Sequence, residues 1–346
     1  MEEARSTPAE MPPSAVMMQL LFGKHITYSL SALARLGVAD HMNGEPKPVE
    51  DIAAAVGAHA DALYRVLRML SSVGVFRQDG RAFALTPVGH LLQTKAPGTL
   101  RHLAWMFCDE WSTRAFEQLP NTLKTGVDGV TAAYGKGAFD LLGELPEQCD
   151  TFQKAMSDLS QMEAEAILVA GDFSGITRLA DVGGGHGTLL ARILLANPSL
   201  KGVLCDLPEI AGQALSGGHF AGCEERVEIV PGSFFDAVPA GCDAYLLKHI
   251  IHDWSDELCQ RILILIRDRL AAHAPQGRVI ICEMLVPDGP EPAPAKMLDI
   301  EMLALTGGGR ERTVGEFTAL LGAAGLKLER IVPTHSPMCL IEARLG

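Results

Sequence analysis

The sequence predicts an α/β fold in two parts: a small helix-rich domain, then a doubly wound, mostly parallel sheet with a carboxy-terminal antiparallel hairpin. Five short apolar runs, TRLADV (177–182), KGVLCD (201–206), RVEIV (226–230), CDAYLLK (242–248) and RVIICEML (278–285), are the first observation. They alternate with helical patterns such as TLLARILLANP (188–198) and SDELCQRILILIRDRLAAH (255–273), and such alternation builds a parallel sheet covered by helices on both faces. The second is a glycine-rich turn, 183–187, directly after the first run. The third is a helix, helix, hairpin texture over 48–90.

Composition bounds the rest. The length of 346 residues suits two domains, and 48% hydrophobic with 21% charged residues is too apolar for disorder. A net charge of −13 and a pI near 5.3 argue against a general binder of nucleic acid or anionic membrane. No run of about 18 uninterrupted apolar residues occurs, which excludes a membrane-spanning helix. The eight cysteines lie more than four positions apart, so there is no CxxC pair for zinc or redox work. Cys205 and Cys282 sit in apolar runs as free thiols. The start, MEEARSTPAEMPPS, is unlike a signal or transit peptide, so a reducing, cytoplasmic setting is expected.

Residues 1–14 read as a flexible lead-in. Over 15–42, Met18, Leu21, Leu30, Leu33 and Leu36 recur at helical spacing before Asn43–Gly44. They must pack on another element or another chain. Next come a short helix ending at Gly57, a helix carrying Leu63, Val66, Leu67 and Leu70, and a hairpin turning at Asp79-Gly80. This is a winged helix-turn-helix pattern, whose functional reading is DNA binding. Ten basic against nine acidic residues over 1–104 favour a structural or dimerisation module instead. Residues 99–175 are helical in pattern and rich in aromatics and methionines, suited to a core or to an apolar ligand cavity. The last segment, LKLERIVPTHSPMCLIEARL, predicts two strands turning at Thr334–Pro337.

The turn reads Asp181-Val-Gly183-Gly184-Gly185-His186-Gly187-Thr. A dinucleotide fingerprint needs a third glycine at 188, which is Thr188, so the spacing is GxGxG and a nicotinamide dehydrogenase is disfavoured. The second apolar run ends at Asp206, where a carboxylate can accept both ribose hydroxyls of a nucleoside cofactor.

LADVGGGHGTLL, CDLPEI, LLKHIIHDWSDE, CEMLVP and GGGRERTVGEF, in this order, resemble the class I S-adenosylmethionine-dependent O-methyltransferases, within them the plant caffeate-type and bacterial antibiotic-tailoring small-molecule family. The resemblance implies a helical winged-helix dimerisation domain over 1–105, a helical linker and substrate-pocket segment over 106–175, and a Rossmann-like catalytic domain over 176–346. It implies a homodimer, a hydroxylated aromatic or polycyclic acceptor, S-adenosylmethionine as cofactor with S-adenosylhomocysteine as product, and no metal. Gly183 and Gly185 fall at the loop beside the cofactor's methionine part, Asp206 and Leu207 at the ribose, and Lys248 at a cofactor-proximal position. The segment that meets adenine appears as Gly232-Ser233-Phe234-Phe235, with Ser233 where the family has an acid.

Methyl transfer to a phenol is an in-line displacement in which the protein aligns the groups and removes the hydroxyl proton. A neutral histidine is a suitable base near pH 7. His252 follows the fourth run, where the crevice of an open α/β sheet lies; His249, three residues earlier, is its rival. The resemblance assigns the base to His252 and its flanking acids to Glu283 and Glu311. Glu283 ends an apolar strand, a costly place for a carboxylate without a partner. Glu311 also reads as a surface ion pair with Arg310 or Arg312, and Asp253 as the acid opening the following helix. A relative that keeps the cofactor for hydroxylation or decarboxylation is the alternative, and retention of His252, Glu283 and Glu311 favours methylation.

Overall fold

The computed structural model describes residues 11–346, so the lead-in expected over 1–14 lies mostly outside the described residues. Two compact units divide between Cys108 and Asp109. The segment 106–175 therefore falls almost wholly with the second.

In the first unit, Pro13–Leu36 forms one helix, with Pro13 at its start and Gly37 closing it at φ 65°. Only its last third is covered within the unit, through Ser31, Leu33 and Ala34. Met17, Leu20, Leu21 and Phe22 remain more than half exposed. β1 (Lys47–Pro48), helices Val49–Val56 and Ala60–Ser72, β2 (Phe76–Asp79) and β3 (Ala82–Leu85) follow. The strands pair in the order β1-β3-β2, and Gly80 turns the hairpin at φ 57°.

The second unit holds β4 (Arg178–Val182), β5 (Lys201–Asp206), β6 (Val227–Pro231), β7 (Ala244–Lys248), β8 (Arg278–Met284), β9 (Leu326–Pro333) and β10 (Met338–Leu345). Their order is β6-β5-β4-β7-β8-β10-β9. β4 to β8 are parallel, whereas β10 pairs antiparallel with both β8 and β9. Alternate residues feed two cores: Ala180 and Val182 join one beneath Asp256–His273 and Val314–Ala323, while Leu179 joins the other beneath Pro146–Ala170 and Thr188–Ala196. The chain leaves β4 towards β5 on one side and returns to β7 on the other, which opens a crevice at the carboxyl ends of β4 and β7. No helix among the described residues is long and apolar enough to cross a membrane.

Candidate active site

The glycine turn leaves β4 with Gly183, Gly185 and Gly187 at φ 70°, 59° and 77°, a left-handed backbone that other residues adopt only with strain. Space is as tight as conformation. A Cβ on Gly183 would stand 2.4 Å from Ile250 Cδ1 and 3.3 Å from Phe234 Cε1. Asp206 at the end of β5 accepts hydrogen bonds from the backbone N–H of Gly185 (2.8 Å) and of Leu207 (2.7 Å). Burial raises its pKa against these two bonds. Its carbonyl accepts from Gly232 N–H at 2.9 Å, which ties the strand end to the segment carrying Ser233 and Phe234. Ser233 Oγ accepts from Phe235 N–H at 3.2 Å. Gly183, Gly185, Asp206, Ser233 and Phe234 thus come together at one end of the sheet. Each carboxylate oxygen of Asp206 keeps a lone pair for a further donor, and the open glycine backbone fits a nucleoside-bearing cofactor.

Lys248, at the end of β7, turns its ammonium to Glu163 at 3.3 Å. The next residue, His249, has φ 54°, and its Nε2 lies 3.1 Å from the same carboxylate. Burial works against the charge on Glu163, but His249 and Lys248 outweigh it and hold its pKa near 2. A carboxylate only accepts, so Nε2 of His249 carries the proton. Glu163, from helix Pro146–Ala170, is a site residue with no signal in the sequence beyond an acid in a helical run.

His252 sits in the short turn Ile251–Asp253 and is 5% exposed. Its ring lies 4.9 Å from that of His249. Two acids approach it from distant segments. Glu283 on β8 accepts from His252 N–H at 3.0 Å, and Glu311 Oε1 lies 2.6 Å from Nδ1. Glu311 reaches this position because Val286 N–H donates to the Arg312 carbonyl at 3.0 Å, drawing its segment alongside the end of β8. Its own N–H donates to Asp299 Oδ1 at 2.9 Å. The expected site histidine and its two acids are therefore brought into contact.

Two expectations are corrected here. Glu311 is no surface ion pair: it is buried, and so is Arg312, at 1% exposure. Arg312 instead donates to the carbonyls of Ile251 (2.8 Å) and Trp254 (3.0 Å) and to Asp256 (2.8 Å), clamping the turn that bears His252. Asp253 does not open the next helix, which starts at Asp256 behind the cap Ser255. Its Oδ1 lies 3.5 Å from His252 Nε2.

Burial disfavours the imidazolium of His252, but Asp253, then Glu311 and Glu283, outweigh it and raise its pKa to about 9. Burial raises Glu283 to about 7 against the pull of His252. It raises Asp253 to about 6 against the same pull. Glu283 Oε2, Glu311 Oε2, His249 Nδ1 and Trp254 Nε1 are buried without a partner among the described residues, as expected where a ligand supplies the missing bonds.

Comparison with known proteins identifies the family. An O-methyltransferase domain family matches residues 116–327, and an O-methyltransferase dimerisation domain family matches residues 18–95. The phenazine O-methyltransferase PhzM of Lysobacter antibioticus is 37% identical over 335 residues, 96% of this chain and 97% of that protein. The 8-amino-8-demethylriboflavin N,N-dimethyltransferase of Streptomyces davaonensis is 33% identical, over 98% of this chain and 99% of its own. A solved O-methyltransferase from neocarzinostatin biosynthesis, in complex with S-adenosylmethionine and 2-hydroxy-5-methyl naphthoic acid, matches with a TM-score of 0.78 at 30% identity. That match covers 95% of this chain and 98% of the other. The chain belongs to the S-adenosylmethionine-dependent O-methyltransferases of secondary-metabolite tailoring, with the family's dimerisation domain ahead of its catalytic one.

Proposed function

We propose that this enzyme methylates a hydroxyl of an aromatic or polycyclic small molecule, with His252 as general base and no metal. The observation that carries the reading is the buried 2.6 Å contact between His252 Nδ1 and Glu311 at the mouth of the crevice. S-adenosylmethionine supplies an electrophilic methyl group when bound. The chain's own residues orient the acceptor, exclude water and take its proton. Glu311 accepts the Nδ1 proton, which leaves Nε2 as the atom that receives the proton of the acceptor. Glu283 holds the backbone of the same residue, so ring and main chain are fixed by different acids. The acids around His252 raise its pKa above the ordinary histidine value, which strengthens it as a base towards a phenol.

In this reading Gly183 and Gly185 receive the methionine part of the cofactor, Asp206 and Leu207 the ribose, and Ser233 and Phe234 the adenine. Lys248, neutralised by Glu163, holds the floor between them. The open apolar face of Pro13–Leu36 supports a homodimer, because an exposed stripe of this kind is rare on a monomer. The test is His252→Gln. Methyl transfer should fall at least a hundredfold (~10²–10⁴ for a lost general base) while calorimetric affinity for S-adenosylmethionine stays within about twofold of wild type. Transfer retained at neutral pH removes the base role, and failure of wild type to bind the cofactor removes the site.

A further inference from the structure

One half-buried acid has no part in the site described so far. Glu301 lies on helix Pro294–Leu305, and its Oε1 is buried with no hydrogen-bond partner among the described residues. Burial raises its pKa to about 7. An acceptor oxygen shut away from water without a donor costs stability, so its place calls for a reason outside the folded chain.

The helix is fastened to the catalytic turn at two points. Asp299, two residues before Glu301, accepts from the N–H of Glu311. Downstream, the helix runs through Thr306 into Gly309, where a Cβ would stand 2.5 Å from the His252 carbonyl. Arg310 N–H donates to that carbonyl at 2.8 Å. Glu301 is five residues ahead of Thr306, roughly 7 to 8 Å along the helix axis. That is about the span of two fused aromatic rings. The same helix packs on Glu110–Glu117 and Leu119–Thr125. These carry three more buried polar atoms without partners: Trp111 Nε1, Ser112 Oγ and Thr122 Oγ1. Phe139 stacks on Trp254, two residues past His252, at 5.3 Å. The helices packed on that of Glu301 thus carry polar atoms left unpaired, and Phe139 adds flat apolar surface beside the turn of His252.

We propose that Glu301 is a specificity-determining residue: its carboxyl accepts a hydrogen bond from a second hydroxyl, amino or ring N–H group of the aromatic acceptor, remote from the hydroxyl that His252 deprotonates. The assignment rests on the reading of His252 as base. It makes the acceptor a ring system with two hydrogen-bond donors, one methylated and one recognised.

The test compares matched acceptors on wild type, Glu301→Gln and Glu301→Leu: a naphthol against the corresponding naphthalenediol, and a hydroxyphenazine against the corresponding dihydroxyphenazine. Wild type should prefer the two-donor member in kcat/KM by roughly ten- to a hundredfold. Glu301→Leu should level the pair, with Glu301→Gln between. Thermal unfolding of the ligand-free enzyme supplies a readout independent of any acceptor. Glu301→Gln should melt higher than wild type, with the gain widening from about pH 5 to about pH 8, because a carboxyl with a raised folded pKa loses stability as it ionises. Pair ratios equal in wild type and Glu301→Leu, transfer to no two-donor member, or a lower melting point for Glu301→Gln overturns the proposal. Transfer that survives His252→Ala undoes the base reading instead, and is told apart because the pair ratio of wild type is read as before.

Discussion

Glu311→Gln changes one charge and almost no volume, which makes it the sharpest probe of the base. In the native site both side chains are buried and the Nδ1 to Oε1 distance is 2.6 Å. Glutamine can still accept the Nδ1 proton through its amide oxygen, so the tautomer is kept. What disappears is the anion. Hydrogen bonds to charged groups contribute roughly 1.5–3 kcal/mol and neutral ones about 1 kcal/mol. The loss of about 1–2 kcal/mol corresponds to roughly one pKa unit at about 1.4 kcal/mol per unit. His252, at about 9 in the native enzyme, should therefore titrate near ~8 in the variant. The assay is NMR of the ligand-free protein carrying histidine labelled at Cε1, with the His252 signal identified by its loss in His252→Gln. The sign is fixed: the neutral ring is the active form, so the rise of kcat/KM with pH should move to lower pH, and its plateau should drop because a weaker base remains. A His252 midpoint that stays put or climbs would refute the claim that Glu311 charges the base.

Other expectations concern separate parts of the structure. Asp206→Asn should weaken S-adenosylmethionine binding by roughly ten- to a hundredfold in calorimetry; unaltered affinity would separate Asp206 from the ribose. Gly183→Ala forces a left-handed alanine with its Cβ 2.4 Å from Ile250, so cofactor affinity should fall and Tm should drop by several degrees (~1–2 kcal/mol of backbone strain alone). Arg312→Met takes the guanidinium donors from the carbonyls of Ile251 and Trp254 and leaves each with the weak thiol donor of Cys259. At roughly 1–3 kcal/mol each this should lower Tm by about 5–15 °C, and a shift under about 2 °C would mean that the turn holds itself. Glu163 has a folded pKa near 2 against an ordinary 4.5. Its stabilisation is present above the ordinary value and lost as pH falls towards the folded one, so Glu163→Gln should flatten the acid limb of the denaturation curve.

Much of the fold was legible in the sequence because strands and helices write their own periods. The five apolar runs became β4 to β8, the last segment became β9 and β10, and Asp79-Gly80 turned the hairpin where expected. The glycine turn and the strand-end acid were legible too, since these are local features. The cluster around His252 was not. His252, Glu283 and Glu311 meet from three separate segments, and no spacing rule brings them together; only the family likeness did. Charge neighbours misled at Glu311, where flanking arginines suggest a surface, because Arg312 spends its donors on backbone carbonyls rather than on water. Asp253 was misread for a related reason. Trp254 is extended, at φ −124° and ψ 153°, so the helix starts later and frees Asp253 to face His252. Glu163 gave no warning, since an acid in a long helix is normally solvated and only packing reveals that this one is not.

β8 is bracketed by β7 in parallel register on one side and by β10 antiparallel on the other, with Glu283 opposite Cys339. Its amides therefore open only when the sheet as a whole does, and hydrogen exchange there should be governed by global unfolding. His252 stands in a short turn outside any ladder, pinned by side chains that can let go one at a time. The two ends of the His252 N–H to Glu283 hydrogen bond thus belong to different dynamic regimes: Glu283 is part of the sheet's frame, while the turn of His252 depends on its side-chain anchors. A fold of this kind can change its acceptor by altering the covering helices alone, without rebuilding the floor on which the base is held.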